Sequence, residues 1–445
     1  MLDAVPRRMS GWGCHPVVQG YEIAGEDLEA ITRTVVLTRG LGRSYGDAGL
    51  PPPGSQPVAV STRADRLIAF DPATGILRAE AGLSLAALNR AFLRRGWFPP
   101  SSPGTQFVTL GGLVAADVHG KSHHSEGTFG EHVTALKMRV GDGRVLEVRE
   151  ESEPELFRAT LGGMGLTGHI LEVEFRMRRI PSPWIWAESE RFEDLDGLIA
   201  GLAEASVSWP YTVAWMDLLG TGGARGRGIL ERGRWAEPSE APARNPSVKH
   251  SLSVPITCPD WLLSRRLVTP LNAVRYWLQG PKVKRGIVHP ESFFYPLDAL
   301  GNWNRLYGSR GFTQYQGVLP WRSGACAYER VLGVVDCLEA VPLLCVIKDF
   351  SREGKGTLSF PKPGLSIVFD MPISVGHTQA VVDALNDVVA GEGGRVYLAK
   401  DALTRAEHFR AMEPRLEHWL TVRRKWDRRG AIRSAMSVRL FGDPP

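Results

Sequence analysis

The chain has 445 residues, enough for two or three domains. Apolar residues make up 43% and charged residues 23%, which predicts a sizeable core and excludes wholesale disorder. The net charge of +5 suits anionic ligands or an anionic membrane surface but is too small to point to nucleic acid.

In chain order, Thr34–Thr38 reads as a buried strand that enters a glycine-rich loop, Arg39–Gly49. Gly75–Ala81 alternates like a strand. Ser84 then caps a helix that runs to Arg95, with Leu85, Leu88 and Phe92 on one face and Gly96 just past its end. Ala135–Val140 and Val145–Val148 flank Gly141-Asp142-Gly143-Arg144 and read as a hairpin. Glu153–Thr160 is a short helix, and Ile170–Met177 a further strand. Pro181 and Pro183 mark a change of composition. Arg232–Ser247, rich in proline and charge, reads as a mobile loop. Trp261–Ile287 mixes Trp, Leu and Tyr with six basic residues, which suits either an ordinary amphipathic helix or a membrane interface. Ser366–Ile373 is a strand, His377–Gly391 a helix and Gly394–Leu398 a strand. Strands and helices mix without a βαβ rhythm, so the fold class is α+β.

Cysteines at 14, 258, 326, 337 and 345 form no CxxC pair, so neither a disulfide framework nor a zinc site is expected. No apolar leader opens the chain, and no run of about 18 apolar residues occurs. A cytoplasmic location is expected, with peripheral attachment at the inner face of the plasma membrane as an alternative.

The densest chemistry lies in Gly104–Gly130. Gly111 and Gly112 permit close backbone approach to a ligand, and Asp117, His119, Lys121, His123 and His124 bring charge and titratable nitrogens to one place. A third glycine loop spans Thr160–Ile170. Three such loops predict a large phosphate-bearing cofactor gripped from several sides. Gly40, Gly42 and Gly46 give GxGxxxG, one residue too long for the dinucleotide fingerprint, so a phosphate-cradling loop with Arg39 and Arg43 as anion partners is expected instead. Lys121 beside the histidines argues against a metal site. His123 and His124 remain open between structural and functional roles, whereas His119 is the better candidate to face a flavin or a substrate.

Taken together, these loops resemble the vanillyl-alcohol-oxidase-type FAD-binding flavoproteins. Within them the chain is similar to the decaprenylphosphoryl-ribose 2-oxidase family. The resemblance is carried by Gly11–Gly13, RGLGRSYGDA from Arg39, PGTQFVTLGG from Pro103, ADVHGKSHH from Ala116, GTFGEHV from Gly127 and ELFRATLGGMGLTG from Glu155. It continues through GFTQYQGVLP from Gly311, LSFPKPG from Leu358, RVYLAKDA from Arg395 and VRRKWD from Val422, in order along nearly the whole chain.

The resemblance implies an FAD-binding domain of this type over 1–182, a separate mixed α/β substrate domain over 183–395, and a return to the first domain over 396–445. It implies that Arg39, Gly40, Leu41, Gly42, Arg43, Ser44, Tyr45, Gly46, Asp47, Ala48 and Gly49 cradle the cofactor with Gly104, Thr109, Leu110, Gly111 and Gly112. Ala116, Asp117, Val118, His119 and Ile170 would line it, and Tyr397 would reach it from the far side. Arg43 stands where covalent relatives often carry a histidine, so the FAD is expected to be non-covalent. Lys400, with His119 and Tyr45, would be catalytic. Gln314, Gln316, Lys348 and Val368 would face the substrate, Val368 replacing a cysteine found in the best-known members. No metal is expected. The implied reaction is oxidation of a secondary sugar hydroxyl, C2 of a polyprenylphosphoryl-β-D-ribose, with the flavin as electron acceptor. A separate NAD(P)H-dependent reductase would complete an epimerisation in cell-wall precursor formation. Two alternatives are a soluble alditol or aldonolactone oxidase of the same fold and a non-catalytic flavin-binding membrane scaffold.

Overall fold

The computed structural model describes residues 5–54, 56–247 and 252–445. The fold is α+β. Its first part builds two small sheets. Val5–Ser10, Val17–Ala24, Pro57–Val60 and Leu37–Arg39 form a mixed sheet in that order. Leu67–Phe70, Ile76–Glu80, His169–Arg176, Val133–Arg139 and Val145–Val148 form an antiparallel one. The sequence placed the first glycine loop after a strand, and Leu37–Arg39 leads directly into it.

Ser84 caps the helix Leu85–Phe92 by accepting from the Ala87 amide. Leu85, Leu88 and Phe92 are buried, each contributing roughly 1.5–3 kcal/mol over an exposed position. A 3-10 turn carries the chain to Gly96, whose φ of 79° is the left-handed conformation expected just past a helix end.

The second part is an eight-stranded antiparallel sheet. Its order is Val283–Val288, Ile185–Phe192, Gly228–Trp235, Tyr211–Met216, Cys345–Phe350, Gly364–Pro372, Phe312–Pro320 and Arg395–Val396. Helices Leu195–Ser208, Gly324–Cys337 and His377–Gly391 cover one face. Tyr315 and Gly317 turn toward that layer, with Tyr315 Oη bonded to Asn386 at 3.1 Å. The opposite face of the central strands is left for the site.

The segment Arg232–Ser247, expected to be a loop, is a strand in its first four residues and irregular beyond them. Arg232–Trp235 completes a strand, and Glu240 accepts from both terminal nitrogens of Arg234 at 2.7 Å. The chain reading missed this because period-two pairing is hidden by charged side chains on the exposed face.

The chain then returns. Leu416–Trp426 packs on Pro154–Thr160, and Trp419 Nε1 donates to the Ala159 carbonyl at 2.8 Å. Ala435–Phe441 brings Arg439 against Asp47 and Asp401, 2.8 and 2.9 Å away. The five cysteines are unpaired. Among the described residues no helix is long and apolar enough to cross a membrane.

Candidate active site

The first glycine loop is clamped from both sides. The Trp12 and Gly13 amides donate to the Ser44 and Tyr45 carbonyls, and the Tyr45 amide donates to the Ala399 carbonyl. A Cβ at Gly46 would lie 2.0 Å from the Asp401 carbonyl oxygen, so only glycine fits there. Gly42 has a φ of +65°, and the Arg39 guanidinium fills the space beside it. Thr109 caps the short helix Leu110–Ala115, so Gly111 and Gly112 form a helical first turn rather than an open loop.

These segments enclose a cavity of about 560 Å³ with the central strands of the large sheet. Alternate residues of three neighbouring strands form its far wall: Gln314 and Gln316, Val346 and Lys348, and Val368. The register puts Gln316 and Val346 on either side of Val368, with Lys348 opposite Ser366. His119, Tyr397 and Lys400 complete the enclosure. The residues the sequence assigns to cofactor, substrate or catalysis line this one cavity except Asp47, Leu110 and Asp117; Lys121, His123 and His124 lie outside it as well.

The side chains of Asp47, Leu110 and Asp117 point away from it. Asp47 turns away and is held by Arg439, which ties the loop to the returning C-terminal helix. Leu110 is fully buried in the core. Asp117 has a φ of 39° and points inward, accepting from the Gly130 amide at 2.8 Å and from Ser359 Oγ. Burial pushes its carboxyl up to about 6. The arginines expected as anion partners are engaged too. Arg39 donates to the Gly49 and Ser10 carbonyls, while Arg43 donates to the Leu41 carbonyl and stacks 4.3 Å over Trp12. Backbone amides, more than guanidinium groups, are therefore left for an anion.

Lys400 Nζ sits 4.0 Å over the Tyr45 ring. Burial and the neighbouring Lys348 push the Lys400 ammonium down to about 7, opposed by the Asp370 carboxylate. Lys348 is lowered to about 8 by burial and Lys121. Asp370, which the sequence reading did not select, accepts from Tyr307 Oη at 2.8 Å and from Gln314 Nε2, and burial raises it to about 6. A signal for it existed: Ser366, Val368 and Asp370 alternate on one face of a strand. Burial and Asp370 raise the Tyr45 hydroxyl well above its ordinary value.

His119 is held neutral. Burial, then Lys348, His123 and Lys400, push it far below its ordinary value. Gln316 Nε2 donates to Ser366 Oγ and lies 2.9 Å from His119 Nε2. The other two histidines part company. His124 joins the two parts of the fold through Asp349 at 3.1 Å and the Trp209 carbonyl at 2.6 Å. His123 is buried 4.4 Å from the Phe350 ring and lowered to about 3 by burial. Among the described residues no cluster could hold a metal ion.

The residues suit FAD. Buried His119 Nδ1 and Gln314 Oε1 have no partner, so the wall keeps polar atoms for a bound group to satisfy. Ala116, Val118 and Ile170 give a slim apolar border, and Tyr397 Oη donates to the Ala116 carbonyl at 2.9 Å to fix its own position.

Comparison with known proteins agrees. A family model described as an FAD binding domain matches residues 29–149. Decaprenylphosphoryl-beta-D-ribose oxidase of Mycolicibacterium smegmatis is 33% identical, over 98% of this chain and 97% of that protein. An uncharacterized protein in the mprA 5' region of Streptomyces coelicolor is 32% identical over 80% of this chain and 100% of its own length. A putative D-arabinono-1,4-lactone oxidase of Neurospora crassa is 34% identical over 25% of this chain and 20% of its own. Cavity, glycine loops and relatives together define an FAD-dependent oxidoreductase. Within that class the chain belongs to the decaprenylphosphoryl-β-D-ribose oxidase family.

Proposed function

We propose that this protein oxidises C2 of a polyprenylphosphoryl-β-D-ribose to a ketone, as the oxidase half of a 2'-epimerisation that a separate NAD(P)H-dependent reductase completes. The observation that carries the reading is a depressed lysine, Lys400, set in a cavity walled by the glycine loops on one side and by Gln314, Gln316 and Lys348 on the other. The relative whose name gives this substrate matches along almost the entire chain.

Backbone amides of Gly40–Gly49 and of the turn begun by Thr109 would hold the FAD pyrophosphate, with Ala116, Val118, Ile170 and Tyr397 along the rest of the cofactor. When bound, FAD supplies the two-electron acceptor that alcohol oxidation requires. The hydroxyl must also lose a proton as its carbinol C–H bond breaks. Lys400, when charged, holds the alkoxide oxygen that develops. Tyr45 keeps its proton, because its hydroxyl is raised, and donates to the same oxygen. His119 is neutral at working pH and so is free to pass a proton on. Lys348 supplies positive charge for the substrate phosphate, and Gln314 and Gln316 orient the sugar hydroxyls.

Trapping the product tests this. Turnover quenched with borodeuteride should place deuterium at C2 of both ribose and arabinose. Deuterium at another carbon, or none, contradicts the assignment.

A further inference from the structure

The helix Arg265–Leu278 carries an apolar stripe on the face where an ordinary surface helix is polar. Leu267, Leu271, Val274, Trp277 and Leu278 recur every three or four residues and all face outward, with Leu271 and Trp277 63% and Leu278 79% exposed. The inward face is short and mixed: Val268, Asn272 and Tyr276 are its buried residues. Asn272 donates to Asp217 at 2.9 Å, Arg227 holds the same carboxylate at 3.0 Å, and the Tyr276 ring lies 4.8 Å from that guanidinium. The fold thus uses Val268, Asn272 and Tyr276 inward and leaves the longer apolar stripe on the solvent side.

The apolar surface leads to the site. The turn Asp260–Leu263, with Trp261 exposed, packs on Trp303–Tyr307. Exposed Leu252 belongs to a strand pair with Leu300–Gly301, and Ser253, Leu300, Gly301 and Trp303 line the cavity. Around the stripe, exposed Arg266, Lys282 and Lys284 have no ion-pair partner among the described residues. A second copy docked through the same stripe would set these cations against their own equivalents. Anionic headgroups complement them, and acyl chains accept the leucines and tryptophan.

We infer that this helix and its flanks dock the protein on an anionic bilayer, with the cavity rim at the membrane surface. The purpose of the docking, delivery of a lipid-linked sugar, rests on the function proposed above; the binding itself does not.

Sedimentation of the FAD-loaded protein with sucrose-loaded vesicles tests the inference without any substrate. Vesicles of phosphatidylcholine with phosphatidylglycerol should carry the protein down at low salt, and less so as salt rises. The triple variant Leu271→Ser, Trp277→Ser, Leu278→Ser should lose about tenfold or more in vesicle affinity, because apolar insertion is removed. Its flavin content and its rate on a short-chain, water-soluble analogue should match wild type. Lys282→Gln with Lys284→Gln should lose about fivefold for each charge removed. Wild-type protein that ignores anionic vesicles at low salt, or a triple variant that sediments like wild type, overturns the inference. A wild-type dimer that ignores vesicles and becomes monomeric in the triple variant assigns the stripe to a second copy instead. Vesicle binding without oxidation of the lipid-linked sugar would leave the docking standing and remove the substrate.

Discussion

Replacing Lys400 with Ala removes a cation that lies over the Tyr45 ring, 4.0 Å from its centre. Its ammonium is lowered to about 7, so at neutral pH only about half the molecules carry the charge. The effect of the variant is therefore best read near pH 6, where the wild-type group is mostly protonated. Loss of one preorganised electrostatic group costs roughly 10²–10³ in rate, or about 2.7–4 kcal/mol. Charge on Lys400 is lost as pH rises through about 7, so the wild-type rate should fall across that window and the fall should vanish in Lys400→Ala. Anaerobic stopped-flow absorbance of the flavin measures both effects. Reduction kinetics equal to wild type at pH 6, with normal FAD content, would refute the role.

Three further outcomes follow from the same geometry. Asp370 is the carboxylate that raises Lys400, so Asp370→Asn should move the midpoint of that pH profile downward; an unmoved midpoint would separate the two groups. Acid precipitation should release the flavin into the supernatant, because Arg43, stacked on Trp12, stands where the resemblance places the histidine tether of covalent relatives; flavin that stays with the pellet is the opposite result. Arg439→Ala leaves the buried Asp47 and Asp401 without their shared cation and should cost about 3–5 kcal/mol in chemical denaturation, whereas a loss under about 1 kcal/mol would mark the pair as an ordinary surface contact.

Local features were legible in the sequence where one residue decides them. Ser84 and Gly96 bracket their helical segment, and the helix His377–Gly391 has the bounds its pattern predicts. The glycine loops were legible because glycine spacing reports close backbone approach. What the sequence hid is direction and distant pairing. Asp47 sits in a loop that faces the cavity, yet its carboxylate meets Arg439, 392 residues along the chain. Asp117 sits among cavity residues but turns inward through a left-handed backbone that no local pattern announces. The attraction between Lys400 and Asp370 joins a turn and a strand that only the fold brings together. In the helix Arg265–Leu278, periodicity revealed an amphipathic helix but could not say which face the fold would bury.

The most direct test is anaerobic titration of the yellow protein. Polyprenylphosphoryl-β-D-ribose should bleach the flavin stoichiometrically, while free alditols and aldonolactones should leave it oxidised. Bleaching by free polyols but not by the lipid-linked sugar, or by neither, would contradict the proposed reaction.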